Sequence, residues 1–265
     1  MPTESGADFT IGEVFERSAL VFGRHVVWFV LVGGLLMLPY FFVLSTHINY
    51  AFPVRRIVPV LTPGIAAYFT ASGSVGYLLQ CFSETVIVWG AFQVMRGRPV
   101  EIGASLLKGV HCFLWVTGIS ICQSAGLFVA YPLLGGHGWT ARIVGFVALV
   151  PGLIIGTVWF VAPSAYVIER RGIIGSLRRS AALTKGHRWK IMGTFIFMTI
   201  AGLIVVRILH YGVREIGSTP IALIATYIFD GGYLGFSTVL GVAFYRCLRI
   251  AKEGGDPETI AKVFD

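Results

Sequence analysis

An acidic residue in the middle of an apolar segment is the first feature of this sequence that could carry chemistry. Glu84 lies 12 residues before Arg96, about 18 Å along a helix from the basic end of its segment. Gln80 precedes it by one helical turn, and Gln123 reaches a similar depth in the next apolar segment. A carboxylate at this depth predicts a proton or ion path, because burying it in lipid is costly. The alternative is structural, with Glu84 neutral or hydrogen-bonded and holding two helices together through Gln123.

A second pair of ionisable residues is predicted at matched depth near the opposite boundary. Asp230 precedes Arg246 by 16 residues, which places it about 24 Å from the basic boundary. Arg207 follows Lys190 by 17 residues and reaches nearly the same height on an antiparallel helix. The matched depth predicts a structural ion pair between Arg207 and Asp230. The alternative is that the Asp-Gly-Gly sequence at 230–232 marks a broken helix lining a cavity, as in some transporters.

A basic segment that contains a tryptophan predicts binding to anionic lipid headgroups. Seven Lys and Arg residues lie between positions 170 and 190, and Ile173, Leu177 and Ala181 recur at helical spacing. These apolar residues would hold the helix at the membrane interface while the cations reach lipid phosphates. The positive-inside topology of membrane proteins also accounts for several of these charges. The residues predicted to bind headgroups are Arg170, Arg171, Arg178, Arg179, Lys185, Arg188, Trp189 and Lys190.

The sequence carries no signature of a metal, nucleotide or nucleic-acid site. Its six histidines and four cysteines form neither HExxH nor CxxC spacing. The net charge of +8 lies beside apolar runs, not on polar segments with interleaved aromatic residues, so nucleic acid is not an expected partner. We therefore expect no metal, no cofactor, no catalytic residues and no enzymatic activity.

The elements that position these residues are predicted to be membrane-spanning helices. Hydrophobic residues make up 55% of the chain and charged residues 13%, whereas a soluble domain carries about 25% charged residues. A spanning helix needs about 20 mostly apolar residues, and continuously apolar runs favour helices over barrel strands. The six segments that qualify are Val26–Leu44, Gly76–Met95, Phe113–Leu134, Ile143–Ile168, Ile191–Val206 and Thr219–Tyr245.

The distribution of positive charge predicts the topology of these six helices. Sixteen Lys and Arg residues fall on one side of the predicted bundle and five on the other. The richer side is expected to be cytoplasmic, and it includes both termini. The whole chain, 1–265, is then one integral membrane domain. Residues 1–25 form a cytoplasmic amphipathic segment, 26–245 the bundle, and 246–265 a cytoplasmic tail.

Three cytoplasmic segments have the pattern of amphipathic elbow helices that precede a spanning helix. The first begins at Thr10, which forms a predicted capping box with Glu13. The others are Glu101–His111 and Ile173–Lys185. An Arg-Ser-Ala sequence occurs at positions 17–19 and again at 179–181. This similarity predicts a threefold repeat of one elbow helix and two spanning helices.

The region around the third elbow contains Pro163, Val167-Ile168-Glu169-Arg170-Arg171-Gly172, Leu177-Arg178-Arg179-Ser180, Leu183-Thr184-Lys185-Gly186 and Arg188-Trp189. In these residues it resembles a large bacterial family of uncharacterised membrane proteins. This family is related to the membrane domain fused to some glycerophosphodiester phosphodiesterases. The resemblance implies a bacterial inner-membrane location and a six-helix fold. It implies no catalytic role, since the chemistry of the fused relatives belongs to a separate soluble barrel.

Together these patterns predict a non-enzymatic inner-membrane protein. It would act as a scaffold or accessory subunit that engages anionic lipid headgroups and a larger membrane complex. The alternative is a small transporter or lipid-handling protein whose polar interior surrounds Glu84. A polar cavity that reaches Glu84 from one side would favour the transporter, and a sealed Glu84 would favour the scaffold.

Overall fold

The computed structural model describes residues 10–35, 63–134, 139–216 and 219–253. Within these ranges the chain is helical and contains no β-strand. In chain order the helices are α1 (Ile11–Arg24), α2 (Val26–Leu35), α3 (Pro63–Met95), α4 (Ile102–Leu134), α5 (Trp139–Val158), α6 (Ala162–Glu169), α7 (Gly172–Thr184), α8 (Arg188–Ile216) and α9 (Thr219–Glu253).

The described helices include five segments long and apolar enough to cross a membrane, which makes the chain a multi-pass α-helical membrane protein, as predicted. The first predicted span, Val26–Leu44, begins as α2, and its remainder lies outside the described residues. The count of six spans therefore stays a prediction. The five segments are Val75–Met95, Ile102–Ala125, Ile143–Glu169, Arg188–Val205 and Tyr227–Glu253.

Helix α9 is the central element of the bundle, and it packs against α1, α2, α3 and α8. Half of its spanning segment is buried by protein, compared with 11% for the span in α8, which presents most of its surface outward. The contact with α2 brings two backbones together. A Cβ atom added at Gly33 would lie 2.5 Å from the carbonyl oxygen of Gly231, so only glycine fits there. Small residues allow such close helix contacts in membranes.

Two clusters of fully buried side chains join the helices. One contains Val14 of α1, Leu183 of α7, Ile191 of α8 and Phe244 of α9. The other joins α2, α3, α4, α6 and α9 through Phe29, Ile87, Val116, Val167 and Val239. In lipid such contacts stabilise the bundle by van der Waals packing, because lipid tails are as apolar as the side chains.

Three sequence predictions differ from the structure at the level of single elements. Thr10 occupies the N-cap of α1, but its side chain makes no capping hydrogen bond. Glu13 instead pairs with Arg17, 2.6 Å away, which leaves the predicted capping box unformed. The second predicted elbow, Glu101–His111, is not a separate helix, because α4 runs continuously from Ile102 to Leu134. Helix α9 is likewise unbroken at Asp230, so the predicted alternative of a helix break there is wrong.

Candidate functional site: a basic helix bound to a broken span

The span Ile143–Glu169 is interrupted between α5 and α6. Pro163 has no N–H group, so it cannot donate to the Trp159 carbonyl one turn earlier, and its ring crowds that carbonyl. The N–H of Ala162 bonds to the Trp159 carbonyl at 2.9 Å, which leaves the Val158 carbonyl without its helical donor. The interruption therefore frees backbone carbonyls inside an apolar segment.

Side chains from two other helices donate to the freed carbonyls. Ser180 and Thr184 of α7 donate to the Val158 carbonyl at 2.9 and 3.1 Å. Gln123 of α4 donates to the Trp159 carbonyl at 2.5 Å. An unsatisfied backbone group in hydrocarbon costs several kcal/mol, so these bonds stabilise the interruption and attach α7 and α4 to it.

Helix α7 buries a polar face, not the apolar face that the sequence predicted. Ser176, Ser180 and Thr184 are fully buried together with Leu183. The predicted apolar stripe of Ile173, Leu177 and Ala181 is only partly buried. Two of these buried hydroxyl groups, those of Ser180 and Thr184, reach a carbonyl of the broken span, so hydrogen bonding helps to select the packing face of α7.

Glu169, the last residue of α6, connects α7 to the rest of the bundle. Its Oε1 accepts hydrogen bonds from Arg179 Nε at 3.0 Å and from the Tyr245 hydroxyl at 2.5 Å. Its Oε2 lies 2.6 Å from Arg171 Nε. The side chain of Glu169 is only 10% exposed, so water screens these contacts weakly.

The turn between α6 and α7 places these groups around Glu169. Arg170 ends α6 in the left-handed conformation, with φ of 55°. Gly172 begins α7 with φ of +75°, a backbone conformation that side chains with a Cβ atom rarely adopt. These two positive φ angles within three residues reverse the chain, and they bring Arg179 back to Glu169.

The end of α9 holds the other side of α7. Glu253 accepts a hydrogen bond from Arg179 and a second from Arg249, and Lys252 donates to the Ala182 carbonyl at 2.5 Å. Burial alone would lower the pKa of the Arg179 guanidinium, but hydrogen bonds to Glu253 and Glu169 outweigh it and raise the pKa. Arg179 is therefore a permanently charged contact between α6, α7 and α9.

The residues predicted to bind lipid headgroups divide into two groups. Arg171 and Arg179 are ion-paired within the protein. The others are exposed, and the exposed fraction of Trp189 is 81%. Ile174 at the start of α7 is also 66% exposed. Arg171 is 59% exposed in spite of its ion pair, and the other exposed members are Arg170, Arg178, Lys185, Arg188, Trp189 and Lys190.

Gln80, Glu84 and Gln123, the predicted intramembrane cluster, do not share one contact, because Gln123 donates to the Trp159 carbonyl. Gln80 is exposed, and Glu84 one turn later is half-buried on α3. Within the described ranges, no hydrogen bond or ion pair involves the Glu84 carboxyl group. The role of Glu84 in an ion path stays a prediction.

The predicted Arg207–Asp230 pair lies partly outside the described residues. Both positions belong to helices, α8 and α9, and Asp230 is half-buried. The side chain of Arg207 is not among those described, so the pair stays a prediction. Among the described side chains, His, Cys, Asp and Glu form no group of three that could hold a metal ion.

Comparison of the chain with models of protein families, with curated proteins and with solved structures finds no match. Sequence reasoning missed the buried hydroxyls of Ser180 and Thr184 and the contacts of Tyr245 and Glu253. Pro163 was the available signal, because a proline inside a spanning segment frees carbonyls that need donors.

Proposed function

We propose that the protein is a non-enzymatic, lipid-engaging scaffold or accessory subunit of a bacterial inner membrane. The observation that carries the proposal is the two-sided character of α7. One side is fixed by Ser180, Thr184 and Arg179 to three other helices. The other side presents exposed cations, with Trp189 exposed at the start of α8.

A rigid basic surface suits the recognition of anionic headgroups. Each Lys or Arg near an anionic leaflet contributes about 1 kcal/mol of attraction. Because α7 is held by its polar face, little additional ordering is needed when a lipid binds, and this raises affinity. Trp189 and Ile174 are the side chains that would enter the interfacial layer, where tryptophan is favoured. Support for a non-enzymatic role comes from Gln123, Glu169, Ser180 and Thr184, whose polar groups hold helices together.

The proposal includes six spans with cytoplasmic termini and a threefold repeat. The asymmetry of Lys and Arg supports the orientation. The repeat is supported by a feature that the three predicted elbows share. Each contains at least one fully buried serine, among them Ser18, Ser105 and Ser180. Reporter fusions at Pro53, His137 and Gly217 should all report the outer side. A cytoplasmic signal at any of them would overturn the orientation.

The lipid-binding role is tested by changing an exposed cation of α7 that has no structural contact. Arg178→Gln should lower the amount of co-purified anionic phospholipid about fivefold, the equivalent of one cation at the surface. Arg98→Gln, which removes an equally exposed charge between α3 and α4, is the matched control and should change it little. Arg179 is unsuitable for this test, because its loss would also release α7 from Glu169 and Glu253. If Arg178→Gln and wild type retained equal amounts of anionic phospholipid, the lipid-binding role would be contradicted, and the exposed cations of α7 would serve membrane topology alone.

The alternative, a small transporter or lipid-handling protein, is favoured by a single observation. Glu84 lies in a spanning helix, half-buried and without a hydrogen bond among the described residues. A transporter requires that water reach this carboxylate. In a variant without the four native cysteines, Glu84→Cys should resist a membrane-impermeant thiol reagent if the protein is a scaffold. Rapid labelling would favour the transporter.

A further inference from the structure

A cleft separate from α7 opens between α1, the end of α3 and α9. It has a volume of about 280 Å³, and its lining includes Arg17, Leu20, Met95 and Arg246. The remaining lining residues are apolar apart from Cys247. The cleft therefore combines two guanidinium groups with hydrophobic walls. It lies where α3 ends at Met95, which is also the end of a spanning segment.

Both guanidinium groups at this cleft are held by contacts within the protein. Arg246 donates to the Met95 carbonyl at the C-terminus of α3. Arg17 pairs with Glu13 of its own helix at 2.6 Å, and its side chain is 47% exposed. Arginine carries its charge permanently and its planar group matches the geometry of phosphate oxygens. Two arginines at one cleft therefore have the charge and geometry that suit a monoanionic phosphodiester.

We infer that this cleft binds the headgroup phosphate of an anionic phospholipid. The inference rests on the proposed lipid-engaging role and assigns it a specific binding site. The volume lies just below the usual range for ligand pockets, about 300 to 1,000 Å³, so it suits a headgroup and not a whole lipid. The acyl chains extend outward along Leu20, which is 66% exposed. This continuity from cationic pocket to apolar surface selects a lipid over free phosphate.

A second cleft, at the junction of α1 and α2, also combines a cation with apolar side chains. It has a volume of about 370 Å³ and is lined by Arg24, His25, Trp28 and Leu31, among other residues. Arg24 follows Arg17 by seven residues, two turns along the same face of α1. Val27 and Leu31 beside it are 68% and 55% exposed. A cation flanked by exposed apolar side chains thus recurs along α1 and α2, as expected for a lipid-facing surface.

The carboxylate of Glu13, which pairs with Arg17, allows the sign of two substitution effects to be predicted. Glu13 competes with a lipid phosphate for Arg17, because both are anionic acceptors of the same guanidinium group. Removing the charge of Glu13 should therefore strengthen lipid binding, and removing the charge of Arg17 should weaken it. A purely structural role for the Glu13–Arg17 pair would give both changes the same effect.

The experiment uses the full chain in detergent, titrated with phosphatidylglycerol and monitored by native mass spectrometry. Arg17→Gln should lower the retained phosphatidylglycerol about fivefold, and Glu13→Gln should raise it by a similar factor. Phosphatidylcholine should bind weakly to all variants. Inorganic phosphate should not displace the bound lipid, and displacement would identify the site as a phosphate site instead.

The control Arg178→Gln separates this inference from the proposed function. If Arg17→Gln and Glu13→Gln act in opposite directions, the cleft is the lipid site. If neither changes the retained lipid while Arg178→Gln lowers it, the cleft assignment is overturned and the proposed function stands. If both α1 variants lower it together, α1 acts structurally and the assignment is overturned. If wild type retains no phosphatidylglycerol, the inference and the proposed function are both overturned.

Discussion

Helices α1 and α7 carry the same Arg-Ser-Ala sequence but use it differently. In α1, Ser18 donates to the Val14 carbonyl of its own helix at 2.6 Å, and Arg17 pairs with Glu13 one turn earlier. In α7, Ser180 donates to a carbonyl 22 residues away in the broken span. Arg179 pairs with glutamates of two other helices. The contacts of α1 are local, and those of α7 are tertiary.

The difference shows that the neighbouring helix decides the role of the motif. Next to α7, the interruption at Pro163 offers a free carbonyl at Val158, which a serine hydroxyl can satisfy. A serine that finds no such acceptor bonds back to its own helix, with little net gain in stability. The same three residues therefore anchor α7 and contribute little to the position of α1.

The largest expected effect comes from removing the carboxylate of Glu169, which accepts hydrogen bonds from Arg179 and Tyr245. Glu169→Ala should lower the free energy of unfolding by about 3 kcal/mol, because it leaves the mostly buried Arg179 without one of its two carboxylates. The matched change in α1, Glu13→Ala, should cost about 0.5 kcal/mol, as is usual for exposed pairs. Denaturant titration in mixed micelles measures both. Equal losses would mean that the two helices are anchored alike.

The second prediction concerns the hydroxyl groups that reach the broken span. The double change Ser180→Ala with Thr184→Val should cost about 2 kcal/mol, since the Val158 carbonyl then loses both side-chain donors. Each single change should cost less than half of this, because the other donor remains. Ser18→Ala in α1 should stay below about 0.5 kcal/mol. Strict additivity of the two single changes in α7 would contradict the shared acceptor.

The smallest expected effect tests the other side of the interruption. Gln123→Leu should cost about 1 kcal/mol, a typical value for a side-chain hydrogen bond between membrane helices. The loss is limited because the Trp159 carbonyl keeps the N–H of Ala162. Gln80→Leu is the matched control on the exposed face of α3, and it should be neutral. If the two glutamine changes had the same effect, the bond to Trp159 would not contribute to stability.

The sequence was sufficient to predict a multi-pass helical membrane protein, because spanning segments are recognisable from composition alone. It also identified the region of α7, but it assigned Arg179 to lipid. Its partner Glu253 lies 74 residues away, and no local pattern connects the two. Gln123 was assigned to Glu84 for a similar reason. Its acceptor is the backbone carbonyl of Trp159. Because every residue has a backbone carbonyl, the sequence does not indicate which one accepts.

The glycines that follow Asp230 show how one local pattern can fit two structures. They suggested a helix break as the alternative to the Arg207–Asp230 pair, yet α9 is continuous there. Gly231 is needed because an added Cβ atom would lie 2.9 Å from the backbone nitrogen of Gly34. The interruption occurs instead at Pro163, where the proline was recognised only as part of a family resemblance. Glycine permits close packing in lipid, whereas proline removes a donor.

The attachment of α7 to the end of α9 sets an order for biosynthesis. Arg179 is translated 74 residues before Glu253, its partner in α9. At synthesis rates of about 5 to 20 residues per second, this interval lasts about 4 to 15 s. During that time the ribosome has not yet supplied the carboxylate that completes the contact. The basic helix can thus bond to Val158 and Glu169 as soon as it is made, whereas its contact with α9 forms only after the last spanning helix has been synthesised.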